Sequence, residues 1–226
     1  ITAKPNEGLV SFSFKSQMGE IREYVAVNPQ DYFEPVEIGQ SVVANQNIKG
    51  SIFLDGSGDF QDIDYLIITA PFLIQPALRL AEHHRAVRGT RVKVVTTDRI
   101  YEEFSSGKQD IGAIRNFVRY VYENASTPAN RIKYVGIFGD TSVDYKARRS
   151  LAGAANNNIV STFHTLQSVS TVSCYMSDDY FGMMDADPLT DNDEVRMATS
   201  DELDISIVRI WADEVYLAIS LVVKIC

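Results

Sequence analysis

The residues best equipped for chemistry in this sequence are carboxylates, and they come in groups. Gly139-Asp140 closes one apolar run. Asp178-Asp179 sits inside Ser177-Asp178-Asp179-Tyr180-Phe181-Gly182, and Asp185, Asp187, Asp191 and Asp193 follow. Asp201, Glu202 and Asp204 precede another apolar run. Carboxylates held close together repel, and a hard cation relieves that repulsion; Ca²⁺ takes about six to eight oxygens from carboxylates and carbonyls. The spacing is not that of an EF-hand loop. Aspartate is also an ordinary turn former, so the stretch from Asp185 to Asp193 serves equally as a solvated loop.

Other reactive side chains are sparse. His83-His84 falls inside a helical pattern with no HExxH, and His164 stands alone in Phe163-His164-Thr165. The two cysteines, Cys174 and Cys226, are too few for a disulfide framework. Cys174 is close to His164 in sequence, but catalytic pairs are made in space. No GxxxxGK[ST], GxGxxG or GxSxG occurs, and Gly56-Ser57-Gly58 signals only a loop. From these residues alone the chain offers an acidic cluster at strand ends and no complete catalytic constellation.

The elements that position the acids follow from periodicity. Residues 1 to 58 predict β structure: Leu9-Val10-Ser11-Phe12-Ser13-Phe14 alternates, Glu23-Tyr24-Val25-Ala26-Val27 follows, and Asn28-Pro29, Gly39 and Gly50-Ser51 punctuate. From Asp59 the pattern changes. Tyr65-Leu66-Ile67-Ile68-Thr69 reads as a strand buried on both faces. Phe72 to Arg88 has helical spacing, with Leu73, Ala77, Leu80 and Ala81 on one side and Gly89 as the stop. Arg91 to Thr96 predicts a second strand, and Asp98 is expected to cap a short helix through Phe104. Asp110 caps a longer helix striped by Ile114, Phe117, Val118, Val121 and Tyr122. Strands follow over 133–138 and 204–208, with an irregular Asn/Ser/Thr-rich excursion over 146–176 between them, and 212–226 predicts an amphipathic last helix. This alternation implies a doubly wound, mostly parallel α/β sheet with helices on both faces. In such sheets, sites lie outside the carboxyl ends of the strands.

The formal charge of the 226-residue chain is -9, with no Lys/Arg cluster to meet phosphates, so nucleic acid is not an expected partner. No run approaches the roughly 18 apolar residues of a membrane span. No signal peptide is visible, the first residue is not Met, and the last helix lacks a stop signal; both ends are expected to be cuts.

Several phrases together resemble the gingipain-like cysteine peptidases. They are Asp64 to Thr69 before a helix, Val92-Lys93-Val94-Val95-Thr96-Thr97 with Ile100-Tyr101-Glu102-Glu103-Phe104-Ser105-Ser106-Gly107, and Asp110 with Arg115-Asn116-Phe117. Phe138-Gly139-Asp140, Asp144-Tyr145-Lys146 and Ser177 to Gly182 complete the series in order. Arg22-Glu23-Tyr24-Val25-Ala26-Val27 and Val43-Ala44-Asn45-Gln46-Asn47 resemble the segment before the peptidase domain in PorU-type sortases of the type IX secretion system. The resemblance implies a caspase-like α/β fold, with residues 1–58 ending a β-rich domain and 59–226 forming the first, non-catalytic subdomain. It implies a cysteine endopeptidase at the outer-membrane surface. That enzyme would remove the C-terminal secretion signal from cargo proteins and work with other secretion-system components. The family's catalytic His and Cys are expected beyond Cys226. The family also implies a structural Ca²⁺ near the Asp after the third strand and the acid opening the last one, which gives Asp140 and Asp204 with Asp178 and Glu202 beside them. Trp211-Ala212-Asp213 stands where the family has a Pro-containing turn. The alternative is a non-enzymatic α/β ion-binding or interaction module. A phosphoacceptor domain would need acids where Thr69-Ala70-Pro71 stands.

Overall fold

The computed structural model describes residues 2–6, 9–13, 45–142, 158–165, 175–184 and 203–225, together with 15, 19, 21, 23, 34 and 145. Contacts divide the chain into two units, Ile1–Ala44 and Asn45–Cys226. In the first, β1 (Thr2–Asn6) and β2 (Leu9–Ser13) pair antiparallel, from Thr2 opposite Ser13 to Asn6 opposite Leu9. The strand expected over 24–27 lies outside the described residues.

Residues 45–58, expected to end the β-rich part, belong to the second unit. They open with a single helical turn, α1 (Ile48–Ser51), that periodicity does not announce. Its exposed amides are met from both sides. Asn47 Oδ1 accepts from Gly50 N at 3.2 Å, and the distant Glu103 carboxylate accepts from Ile48 N at 2.5 Å and Lys49 N at 3.0 Å. Ile48, Ile52 and Phe53 then enter the core.

The rest of this unit is the expected doubly wound α/β fold. In chain order it comprises β3 (Tyr65–Thr69), α2 (Ile74–Arg88), β4 (Val92–Thr96), α3 (Thr97–Phe104), α4 (Ile111–Glu123) and β5 (Tyr134–Phe138). It continues with β6 (Phe163–His164), β7 (Met176–Ser177), β8 (Ser206–Ile210) and α5 (Val215–Ile225). Four strands form one parallel sheet in the order β4-β3-β5-β8. The pleat sends alternate residues to opposite faces. Leu66, Ile68, Val135 and Ile137 meet Ile100 of α3 and Ile114, Phe117, Val118 and Val121 of α4. Ile67, Val92 and Phe138 meet Leu73, Ala77, Leu80 and Ala81, with Ala218 and Val222 of α5 on the same side.

Local signals placed most boundaries. Gly89, at φ +64°, ends α2 in the left-handed conformation, where a side chain would be strained. Asp110 caps α4 by accepting from Gly112 N at 2.8 Å. Two expectations need correction. Asp98 lies in the first turn of α3 while Thr96 is the capping position, because β4 runs into the helix without a linker. The last strand begins at Ser206, two residues late, because the backbone amides of Asp204 and Ile205 donate to Gly182 O, at 3.2 Å each, instead of to β5.

Gly136 in β5 lies under the Tyr65 ring. An added Cβ would collide with the Tyr65 hydroxyl and come within 3.1 Å of ring carbons. Gly136→Ala is expected to cost about 1–3 kcal/mol by overpacking. A Tyr65→Phe background should return part of that in denaturant unfolding, whereas equal losses in both backgrounds would show that the ring is not the obstacle. The same Tyr65 ring meets His84 edge to face at 5.1 Å. Burial, with Arg88 and His83 adding to it, lowers the His84 pKa from 6.5. The unfolded chain therefore takes this proton first, and stability contributed by neutral His84 is lost as pH falls through about 6.5 toward the folded value. The unfolding midpoint should drop between about pH 7.5 and 5.5, and His84→Gln should flatten that slope.

Candidate functional site

The carboxyl ends of β5 and β8 meet at one buried cation. β5 and β8 keep pairing past their last ladder residues: Gly139 N donates to Ile210 O and Asp140 N to Ala212 O, both at 3.0 Å. Asp140 O then receives Ile159 N at 3.1 Å and Val160 N at 3.0 Å, which brings the 158–165 segment back over the sheet end. Gly139 is required there. Its φ is +148°, and a Cβ would sit 3.0 Å from side-chain carbons of both Ile159 and Val160.

Arg209 projects from β8 into this corner with its side chain only 3% exposed. Its Nε and Nη2 grip both oxygens of Asp178 at 2.7 and 2.6 Å, and Nη1 donates to Gly139 O and Val160 O at 2.8 Å each. Thr162 Oγ1 adds a bond to Asp178 Oδ1 at 2.7 Å. A polar lattice continues outward. Gln109 Nε2 and Asn158 Nδ2 both donate to Ser161 Oγ, at 2.9 and 3.1 Å. Thr141 Oγ1 donates to Asn158 Oδ1 at 3.2 Å, and Thr141 N donates to Asp140 Oδ1 at 2.7 Å. Tyr101 lies beside Ser161 and Gln109, buried, and its hydroxyl has no partner within hydrogen-bond geometry among the described residues. Burial pushes its pKa up to about 12, so it is a neutral donor at physiological pH.

The structure separates the acids that the sequence grouped. Asp140 and Asp178 share the carboxyl end through Arg209. Asp204 sits at the amino end of β8, where it accepts from Met184 N and from Tyr122 Oη at 3.3 Å. The β5/β8 ladder runs from Tyr134 opposite Ser206 to Phe138 opposite Ile210, with Asp204 before it and Asp140 after it, so the whole ladder of about 13 Å at about 3.3 Å per residue lies between them. A residue that opens a parallel strand cannot share a site with one that leaves its neighbour. Glu202 lies outside the described residues. Both Asp178 oxygens are held by a guanidinium, and among the described residues no three His, Cys, Asp or Glu side chains converge as metal ligands. The expected four-acid Ca²⁺ set therefore does not fit this geometry, and no function is assigned through it here.

His83 and His84 lie on α2, with His84 against Tyr65 at the amino end of the sheet. His164 pairs with Met176 in the β6–β7 hairpin, and its ring meets Tyr145 at 5.9 Å. Burial lowers its pKa from 6.5, and its Nε2 has no hydrogen-bond partner. Cys174, Cys226, Asp185, Asp187, Asp191, Asp193 and Asp201 fall outside the described residues. Sequence reasoning missed Arg209, Arg115 and Tyr101. The available signal for Arg209 was a charge inside the apolar run Ile207-Val208-Arg209-Ile210, a place arginine occupies only with partners.

The model for peptidase family C25 matches residues 59–226. The chain belongs to this cysteine-peptidase family. No curated protein matches it. A crystal structure of dimeric latent PorU from Porphyromonas gingivalis superposes with a TM-score of 0.57 at 26% identity, covering 71% of this chain. The chain spans 15% of that protein's length. Family and neighbour agree with the parallel-sheet, caspase-like architecture that the sequence implied.

The Arg209–Asp178 pair gives a direct test. Asp178→Ala should cost about 3–5 kcal/mol in urea unfolding, because it leaves a buried guanidinium half satisfied. Adding Arg209→Met should return a substantial part of that loss. Strictly additive losses would show that the two side chains do not act as a unit.

Proposed function

We propose that this chain is the scaffold subdomain of a cysteine endopeptidase of the type IX sortase kind, with the nucleophile supplied by polypeptide beyond Cys226. The observation that carries the reading is the free edge of β8 in a member of a peptidase family. Among the described residues β8 pairs as a strand with β5 alone, and it carries no exposed charge or proline to block further pairing. Val208 on it is 57% exposed, and Trp211, Val215, Tyr216 and Leu217 add an apolar surface beside it. Natural sheets protect such edges or cover them. A second subdomain that continues the sheet here would cover them and would bring a Cys and a His to the ordered carboxyl end.

The reaction is acyl transfer. A thiolate activated by an imidazole attacks the scissile carbonyl and expels the amine, leaving an acyl-enzyme. Backbone N–H groups hold the oxyanion. Water then completes hydrolysis, or an amine completes transfer to a surface anchor. The substrates in this reading are proteins bearing a C-terminal secretion signal, the partners are other components of that secretion system, and the location is the extracellular face of the outer membrane. No helix among the described residues is long and apolar enough to cross a membrane. This chain's own part is positional: Arg209, Asp178 and Gly139 hold the strand ends against which the reacting groups are set.

The test compares the 226-residue chain with the product of its whole reading frame on a peptide spanning a type IX signal junction. The whole product should cleave and lose activity when its nucleophilic cysteine becomes alanine, while the short chain should be inert. Cleavage by the short chain that disappears in Cys174→Ala would place the nucleophile here instead. An inert whole product would favour a binding module.

A further inference from the structure

Arg115 presents a buried charge that the described residues leave almost unanswered. It lies in the second turn of α4 and is 5% exposed. Its guanidinium carries five N–H donors. One is used in a described hydrogen bond, from Nη2 to Met183 O at 2.9 Å. Nε is buried and has no hydrogen-bond partner among the described residues. The guanidinium carbon stands 5.5 Å from the centre of the Tyr180 ring, near the outer limit of a useful cation–π contact at about 6 Å. Among the described residues no carboxylate comes within ion-pair distance of it. Of the described acids in these segments, Asp178 holds Arg209, Asp204 takes Met184 N and Tyr122 Oη, and Asp179 is exposed.

A buried guanidinium without a counter-charge is strongly destabilising, and evolution retains such a group where something else completes it. Arg209, on the same face of the same sheet, shows what completion looks like: two carboxylate oxygens and two carbonyls. We propose that Arg115 is half of an ion pair whose other half arrives with a ligand, and that the place between α4, Tyr180 and Met183 takes a carboxylate. The free Nε edge of a planar guanidinium suits a planar, two-oxygen acceptor and gives a spherical anion no comparable geometry. The carboxylate can belong to a small organic acid or to a polypeptide, through an acidic side chain or a C-terminus. None of this depends on peptidase chemistry.

Thermal unfolding of the full chain tests it. The probes are acetate against chloride at matched ionic strength, and a short peptide with a free C-terminal carboxylate against its amide. Acetate at about 100 mM should raise Tm by about 2–4 °C over chloride in the natural chain. Arg115→Met should abolish that shift, yet unfold no lower than the natural chain in chloride, since it replaces an unpaired charge with a flexible apolar side chain. A shift with the peptide acid alone would assign the carboxylate to a polypeptide. The proposal is overturned if neither probe raises Tm, if Arg115→Met keeps the shift, or if Arg115→Met unfolds well below the natural chain in chloride, which would mean that Arg115 is already satisfied within the fold.

Discussion

One buried guanidinium organises the functional end of this domain. Arg209 reaches from β8 to a carboxylate on one loop and to carbonyls at the end of β5 and on a second loop. Each acceptor comes from a different segment of chain, and no segment can leave without orphaning part of a charge in a place water does not reach. Coulomb attraction alone does not make such a pair a net stabiliser, because removing both partners from water costs several kcal/mol per ion. Its effect is conformational. The loops occupy this arrangement together or lose it together, and the strand ends acquire a fixed geometry on which a reacting centre can be built.

The two long faces of the sheet are ordinary by comparison. Apolar side chains from α3 and α4 fill one, and those from α2 and α5 fill the other, in the division that a pleated, parallel sheet imposes. The amino end is tied by a second charged knot. Arg91 grips Asp64 through two side-chain bonds at 2.7 and 2.8 Å, and the hydrogen bonds from Arg91 hold the Asp64 pKa below its ordinary value. Asp62 beside it accepts from Ser126 N and Oγ. Rigidity is thus supplied at both ends of the strands, while no described strand pairs with the outer flank of β8.

Most of the architecture was legible in the sequence because it rests on local rules. Buried runs such as Leu66-Ile67-Ile68, the αL glycine at 89 and the Asp110 cap act over a few residues, and each lies where periodicity predicts. What resisted reading depends on contacts between distant residues. α1 is held by Glu103, more than fifty positions away, and no local pattern encodes that meeting. The acids misled for a related reason. Asp140 and Asp204 both flank apolar runs, but one leaves a strand and the other enters one, and in parallel strands those are opposite ends. Arg209 and Tyr101, both buried at the carboxyl end, take their partners and neighbours from segments distant in sequence, which no local pattern announces.

The placement of α5 limits what can lie against β8. Right-handed crossovers that use the α2 side of this sheet travel from β3 toward β4, and those that use the α4 side travel the other way, from β4 over to β5. α5 packs on the α2 side. A parallel strand reached directly through it would be carried back toward β4, away from the open flank. The handedness of a single helix thus narrows which direct connections can place a strand beside β8.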